Sequence, residues 1–292
     1  MPAVTVILPT RDRAALLPRA VASVLGQSER SFELLIIDNN EREPPVQTSA
    51  VWSDWRNDPR VRVIRPESRR NAAVARNAGL AEAEGSWITY LDDDDAYRPD
   101  KLAAQLALAE STGAPLVLCG AVFNLRDRQR TVQCAADAWR GDDLLLRARW
   151  NTPLLFHRHP GGLRFDESLS SAEDAEFAHR LIARAGCAVV PVVASPLVDI
   201  FPQPGPRVNA HSASIRPATA RILALRPGFF SRRARRRYVL RTMLGAAKLL
   251  RRPGQCAVLG WRLWLESQGA DWRPVANAMV VSLGLFPQRW VS

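Results

Sequence analysis

Three short runs of β-branched and apolar residues each stop at a polar group: VTVIL before Pro9-Thr10, FELLII before Asp38, and WITYL before Asp92. Runs of this length and composition read as buried strands. Between them lie segments whose apolar residues recur at helical spacing, residues 12–26 (Leu16, Leu17, Ala20, Val21 and Val24) and residues 71–83. Residues 61–64 and 116–123 add two more strands, and DKLAAQLALAES after Pro99 is a helix with proline where its missing N–H costs least. Strands alternating with helices predict an α/β fold, a doubly wound, mixed and mostly parallel sheet flanked by helices. Right-handed crossovers bring the carboxyl ends of such strands to one edge, where ligands bind. Thr10, Asp38 and Asp92 are therefore expected to converge on one crevice.

Asp92, Asp93, Asp94 and Asp95 stand in a row at the end of the fourth strand. Like charges about 4 Å apart repel by roughly 1 kcal/mol in bulk water and by several times that in a drier cleft. Water offsets this at an exposed loop, and a divalent cation offsets it in a site. A third reading is that the acids favour the dipole of the helix that follows.

The second half opens with a strand at residues 153–156 and continues through HRHPGGLRFDESLSSAEDAEFAHRLIARAG. Residues 172–185 are a helix stopped by Gly186, and residues 187–199 hold another strand. His157 and His159 flank Arg158 and are expected to share one strand face, in an acceptor-side or surface role. A Pro-rich loop follows, and the domain boundary is placed near residue 215. Residues 1–215 then form one α/β domain and residues 216–292 a basic helical region. Residues 216–292 carry fifteen Lys and Arg against two Asp and Glu, so the formal net charge of +11 belongs to this region. An anionic partner would meet it there. The four cysteines form no CxxC pair, which suits a reducing cytosol. No signal peptide is read at the N-terminus, and no run reaches the ~20 apolar residues a membrane span needs.

Several motifs in one order carry a resemblance: VTVILPTRDR, FELLIIDNNE, RNAAVARNAGLAEAEGSWITYLDDDD, GGLRFDESLSSAEDAEFAHRL and RVNAHSAS. Together they resemble glycosyltransferase family 2, nucleotide-diphospho-sugar transferases of the A-type fold, over roughly residues 3–215. The resemblance implies that Pro9, Thr10, Arg11 and Asp38 hold the nucleoside base and ribose. It implies that Asp92, Asp93 and Asp94 hold Mn²⁺ or Mg²⁺ and the diphosphate, with Asp95 a further acid and His211 a reach to metal or phosphate. Arg76 and Asn77 would lie near the nucleotide, and Glu173-Asp174 would supply the catalytic base. The sequence departs from the pattern at Asn39, where a second acid is frequent, and at Ala73, where glycine is usual.

The residues also admit plainer roles. Ser171-x-x-Asp174 and Ser170-x-x-Glu173 both fit a helix capping box. His211 could be a polar loop residue. The stretch RRARRRYVLRTMLGAAKLLRR, with tryptophans after it, suits an anionic membrane surface or a helical subdomain packed on the catalytic domain. It carries no nucleic-acid motif, and no nucleic-acid partner is expected. The expected function is an inverting, metal-dependent transfer of a sugar from a nucleotide-diphosphate donor to a hydroxyl on a glycan or lipid-linked acceptor. It would take place in the cytoplasm or at the inner face of the cell membrane. The rivals are a nucleotidyltransferase on a related fold, disfavoured by the absence of glycine in LPTRDR, and a non-catalytic nucleotide-sugar-binding adaptor.

Overall fold

The computed structural model describes residues 1–201 except 69–70, 126–127 and 133–135, then 215–225 and 229–249, and the single positions 255, 258, 259, 261 and 262. The strands in chain order are β1 (Val4–Thr10), β2 (Phe32–Asp38), β3 (Val61–Ile64), β4 (Trp87–Tyr90), β5 (Ala96–Tyr97), β6 (Leu116–Asn124), β7 (Gln129–Val132), β8 (Ala138–Arg140), β9 (Phe156–Arg158) and β10 (Val189–Ile200). The helices are α1 (Leu17–Leu25), α2 (Ala72–Glu82), α3 (Lys101–Thr112), α4 (Asp142–Leu146), α5 (Glu173–Arg184), α6 (Ile215–Leu225) and α7 (Arg232–Leu249).

The sheet runs β3-β2-β1-β4-β9-β6-β10-β5, with β7 added to β6 and β8 to β10. The first four strands are parallel, as their alternation with helices requires. β9 then enters antiparallel between β4 and β6, and β10 returns parallel to β6. The sheet is therefore mixed, as expected, with its parallel part concentrated in the first hundred residues.

Period-two alternation sends side chains to two cores, one on each face. Val4, Val6 and Leu8 of β1 join Phe32, Leu34 and Ile36 of β2 beneath α1. Ile7, Leu35 and Ile37 face the other way, under Ala75 and Leu80 of α2 and Phe177 of α5. A Cβ at Gly79 would fall 2.6 Å from Ile7 Cγ2, so the glycine lets α2 lie close on β1. That close approach brings the neighbouring Arg76 and Asn77 inward.

Three sequence expectations shift. The strand expected at residues 153–156 is a 3₁₀ turn, Thr152–Leu154, followed by β9 at Phe156–Arg158. Pro153 has no N–H to give a ladder, whereas Phe156 and His157 pair with neighbours on both sides. His157 and His159 do not share a face, because the strand ends between them. His157 is fully buried, while His159 is exposed. His157 Nδ1 lies 2.7 Å from the carbonyl of Arg158 and Nε2 lies 3.0 Å from Tyr90 Oη. Because a carbonyl only accepts, Nδ1 carries the proton and Tyr90 donates to Nε2. Burial pushes the imidazole down to about 4, so it stays neutral, and it serves the core rather than an acceptor.

The described part of the basic region is built onto the rest of the chain. Ile222 of α6 and Ala234 of α7 are buried in the same core as Trp139, Phe177 and Ile182. Ser231 donates from its N–H and hydroxyl to Asp142 at the start of α4, and Arg241 donates to the carbonyl of Leu146. The apolar side of α7, with Ala234, Leu240 and Leu244 buried, is therefore turned inward. Among the described residues no helix is long and apolar enough to cross a membrane.

Candidate active site

The four consecutive aspartates divide by the geometry of a turn, in which the N–H of Asp95 donates to the carbonyl of Asp92 at 3.0 Å. Asp93 points inward and is fully buried; it accepts from Thr10 Oγ1 at 2.8 Å. Arg13 stands 2.5 Å from its other oxygen, a charge contact without hydrogen-bond alignment, and also reaches Asp94 at 3.2 Å. Burial lifts the Asp93 carboxyl to about 7, against the pull of Arg13 and Thr10. Asp92, Asp94 and Asp95 instead converge, with one oxygen from each lying within 4.8 Å of the others. Burial, and then the neighbouring carboxylates, raises Asp94, and the same causes raise Asp95 well above the ordinary carboxylate range. Three crowded oxygen donors whose charges resist one another fit a hard divalent cation, Mg²⁺ or Mn²⁺. Asp95, which also accepts from the N–H of Phe201 at 3.0 Å, takes a place in this trio. The position of His211 lies outside the described residues.

Next to this turn, β1 and β2 end side by side with Thr10 opposite Asp38. Pro9 is half-buried there, two residues past Ile7, the last β1 residue paired with β4. Asp38 is fully buried, and its oxygens accept from the N–H groups of Asn40 at 3.1 Å and Val46 at 3.0 Å. It shapes the loop over residues 39–46. Asp12, which sequence reasoning passed over, works on the same loop. Its carboxylate accepts from the N–H groups of Glu41, Arg42 and Glu43 at 2.8–3.0 Å. Burial opposes its charge, but the three N–H donors prevail and hold it down at about 2. Its left-handed backbone, φ 52°, was the only local sign, and sequence does not show it. Arg11 pairs with Glu41 on the rim of this loop.

On the far side of the acidic turn lies α5. Its N-cap is Ala172, left-handed at φ 60° and without a side-chain cap. Neither serine stands at the cap position, so the capping-box reading of Ser170 and Ser171 fails. Asp174 accepts from the N–H of Ala175 at 2.7 Å. Its carboxyl is lifted to about 7, by burial first and then by the charge of Glu173, while Arg76 pulls it back. Glu173 is held differently, because its Oε1 takes a 3.0 Å bond from Arg76 Nη1. Arg76 is 5% exposed and its Nη2 bonds Asp92 Oδ1, also at 3.0 Å. Burial works against the guanidinium's charge, but Asp92, Glu173 and Asp174 outweigh it and raise its pKa. Asn77, expected near the nucleotide, is buried with its amide committed to the chain: Nδ2 donates to the Phe165 carbonyl and to Glu167, and Oδ1 accepts from the Phe165 N–H. Asn71, the N-cap of α2, also donates to the Glu167 carbonyl. The loop leading into α5 is thus clamped to α2. From α7, Tyr238 has its phenol pushed up to about 12, by burial and then by the charge of Asp174. No motif pointed to Tyr238, because it comes from the basic region.

The structure therefore gathers Thr10, Asp92–Asp95, Arg76, Glu173 and Asp174 into one connected network, with Asp38 beneath the adjoining loop. Such a site at the carboxyl edge of parallel strands defines a class, the α/β proteins of the A-type glycosyltransferase fold. S. aureus TarS 1-349, solved in complex with UDP-GlcNAc, superposes with a TM-score of 0.66 at 14% identity, covering 98% of this chain and 91% of that one. The mannosyltransferase PcManGT from Pyrobaculum calidifontis, solved with GDP-Man and Mn²⁺, gives 0.60 at 19% identity, covering 99% and 82%. At those identities the likeness establishes the fold.

Residues 5–169 match the family described as glycosyl transferase family 2, and the chain belongs to it. The succinoglycan biosynthesis protein ExoO of Rhizobium meliloti (strain 1021) is 30% identical over 210 residues, which cover 65% of this chain and 59% of that relative's length.

Proposed function

We propose that this protein transfers a sugar from a nucleoside-diphosphate donor to a hydroxyl group, with inversion at the anomeric carbon, in the synthesis of a polysaccharide or lipid-linked glycan. Family membership and the ExoO relative support the polysaccharide setting. The folds solved with UDP-GlcNAc and with GDP-Man support the donor class. The observation that carries the reading is the placement of Asp174, lifted to about 7, across Arg76 from the Asp92–Asp94–Asp95 cluster.

Asp174 is suited to a general base because its proton affinity lies near neutral pH. Glu173, whose Oε1 is committed to Arg76, holds the helix end in place. In the reaction, the acceptor oxygen bonds the anomeric carbon as Asp174 takes its proton, and the bond from that carbon to the diphosphate oxygen breaks. Attack from the face opposite the leaving group inverts the centre. Asp92, Asp94 and Asp95 would hold the divalent cation, which when bound neutralises charge growing on the leaving diphosphate. Thr10 and Arg13 keep Asp93 turned inward beneath this cluster.

Asp174→Asn tests the reading. Transfer should fall at least about 100-fold, while Mn²⁺-dependent thermal stabilisation by UDP-GlcNAc or GDP-mannose persists. Undiminished transfer would remove Asp174 from the mechanism. Donor binding without turnover in the wild type would favour the adaptor reading.

The basic region supplies a surface for an anionic membrane. Since the apolar side of α7 is packed inward, its exposed Arg232, Arg233 and Arg236 offer charge alone. Val258 and Trp261, each 53% exposed, offer apolar contact. Binding of this kind weakens with salt. Flotation with phosphatidylglycerol vesicles at low and high salt checks it, and a protein that stays off the vesicles at low salt refutes it.

A further inference from the structure

Arg76, which the resemblance places near the nucleotide, makes both of its charged contacts in the structure with carboxylates of the chain itself. It rises from the middle of α2, almost wholly buried, and its two terminal nitrogens divide between opposite banks of the crevice. Nη2 holds Asp92, a member of the carboxylate trio, and Nη1 holds Glu173, at the start of the helix that carries Asp174. Nε has no partner among the described residues, so those two charged contacts anchor the group. The ring of Phe165 stands 5.7 Å from the guanidinium carbon. A buried cation placed in this way cannot reach solvent to find another counter-charge.

We infer that Arg76 is a positioning residue that serves as the resident counter-ion of Asp92 in the acidic cluster, as Arg13 does at Asp94, and couples the cluster to the base helix. Asp92 Oδ1 is bonded to Arg76, and the same carboxylate belongs to the trio that fits a divalent cation. Arg76 and the cation therefore compete for Asp92. When a cation takes Asp92, the guanidinium is left to Glu173 and Asp174. Loading one bank of the crevice thus tightens the hold on the other. A nucleotide contact, the role the resemblance implied, is not needed to explain why arginine stands here. A lysine would be a poor substitute, since a single ammonium cannot present two fixed arms to carboxylates on opposite sides. The inference rests on reading Asp92, Asp94 and Asp95 as a cation site.

The test is calorimetric titration of the full chain with MnCl₂ alone, with no donor or acceptor present. Wild type and Asp92→Asn come first. If wild type binds no Mn²⁺, or Asp92→Asn binds it as well as wild type, the cation-site reading fails on its own account. Given wild-type binding, Arg76→Met should bind Mn²⁺ about tenfold more tightly, because a nearby positive charge is gone. Unchanged or weaker binding by a folded Arg76→Met overturns the inference. Should that variant not fold, Arg76→Gln takes its place under the same criterion.

The coupling is read by a double-mutant cycle with Glu173→Gln. Removing Glu173 frees Arg76 to pair fully with Asp92, so Mn²⁺ binding should weaken several-fold in the wild-type background. In the Arg76→Met background that loss should shrink to less than about half as large on a logarithmic scale. Long-range charge alone would weaken binding equally in both backgrounds, and equal losses would refute the bridge.

Discussion

The two banks of the crevice are built by opposite means. On the bank formed by β1, β2 and β4, acids arrive because parallel strands end there. Thr10 sits opposite Asp38 by ladder register, and Asp92 follows β4 two residues on. On the bank formed by α5, the acids arrive through side-chain bonds between residues 88 to 97 positions apart, from Arg76 to Glu173 and from Asn77 to Phe165 and Glu167. Backbone pairing is redundant and cooperative. A clamp of a few side chains is not, so the base bank should be the more fragile of the two.

Three measurements can break or sharpen that comparison. The largest effect is expected from pH, and it touches both banks. Asp93 is lifted from 3.8 to about 7 in the folded chain, so the folded state holds its proton more tightly than the unfolded one. Its contribution is fully present below about pH 4 and is lost as pH rises through about 7, a change on the order of 4 kcal/mol. Urea unfolding in EDTA should therefore show lower stability at pH 8 than at pH 5, and Asp93→Asn should lessen that dependence without abolishing it, because Asp94, Asp95 and Asp174 are raised as well. Transfer should run the other way. It should climb with an apparent midpoint near 7 as Asp174 loses its proton. A rate that falls across the same range would remove Asp174 as base.

Asn77→Ala comes next. It deletes three bonds to residues 165–167 and leaves the buried N–H of Phe165 without its acceptor. The expected cost is about 3 kcal/mol. Because the loop into α5 loses its clamp, the turnover number should fall by about 100-fold, with Mn²⁺ affinity falling by no more than the several-fold that loss of the Arg76–Glu173 contact would cause. Equal damage to both properties would show that the banks are not separable.

The smallest effect is at Ala172, whose left-handed backbone at φ 60° is strained for any residue with a Cβ. Glycine relieves that strain but adds freedom to the unfolded chain. Ala172→Gly should stabilise by about 0.5 kcal/mol, read from the urea midpoint. A destabilised variant would mean that the methyl group contributes packing that outweighs the strain.

Much of the donor bank was legible in sequence. A β-branched run stopped by an acid announces both a strand and where its end points, and nine of the main elements stand within two residues of where spacing placed them, while α1 begins five residues later. The division of labour among four identical aspartates was not legible. Which of them turns inward depends on a backbone bond from Asp95 to Asp92 and on Thr10, more than eighty residues earlier. The short pieces β5, β7, β8 and α4 were missed as well, because two to five residues carry too little periodicity to read. The serines before α5 looked like caps because local pattern cannot show that Ala172 would adopt the left-handed turn.

Residue order alone settled the alternation of strands and helices, the clustering of carboxylates at strand ends, and the concentration of positive charge after residue 215. These are properties of neighbours in the chain, which short-range periodicity and charge can encode. Tertiary structure alone decided that Asp12 and Asp38 shape a loop, that Asn77 clamps another, that the apolar side of α7 turns inward, and that Arg76 spans the crevice. Each of those depends on groups brought together across many tens of residues, where burial leaves a polar side chain no partner except the one the fold supplies.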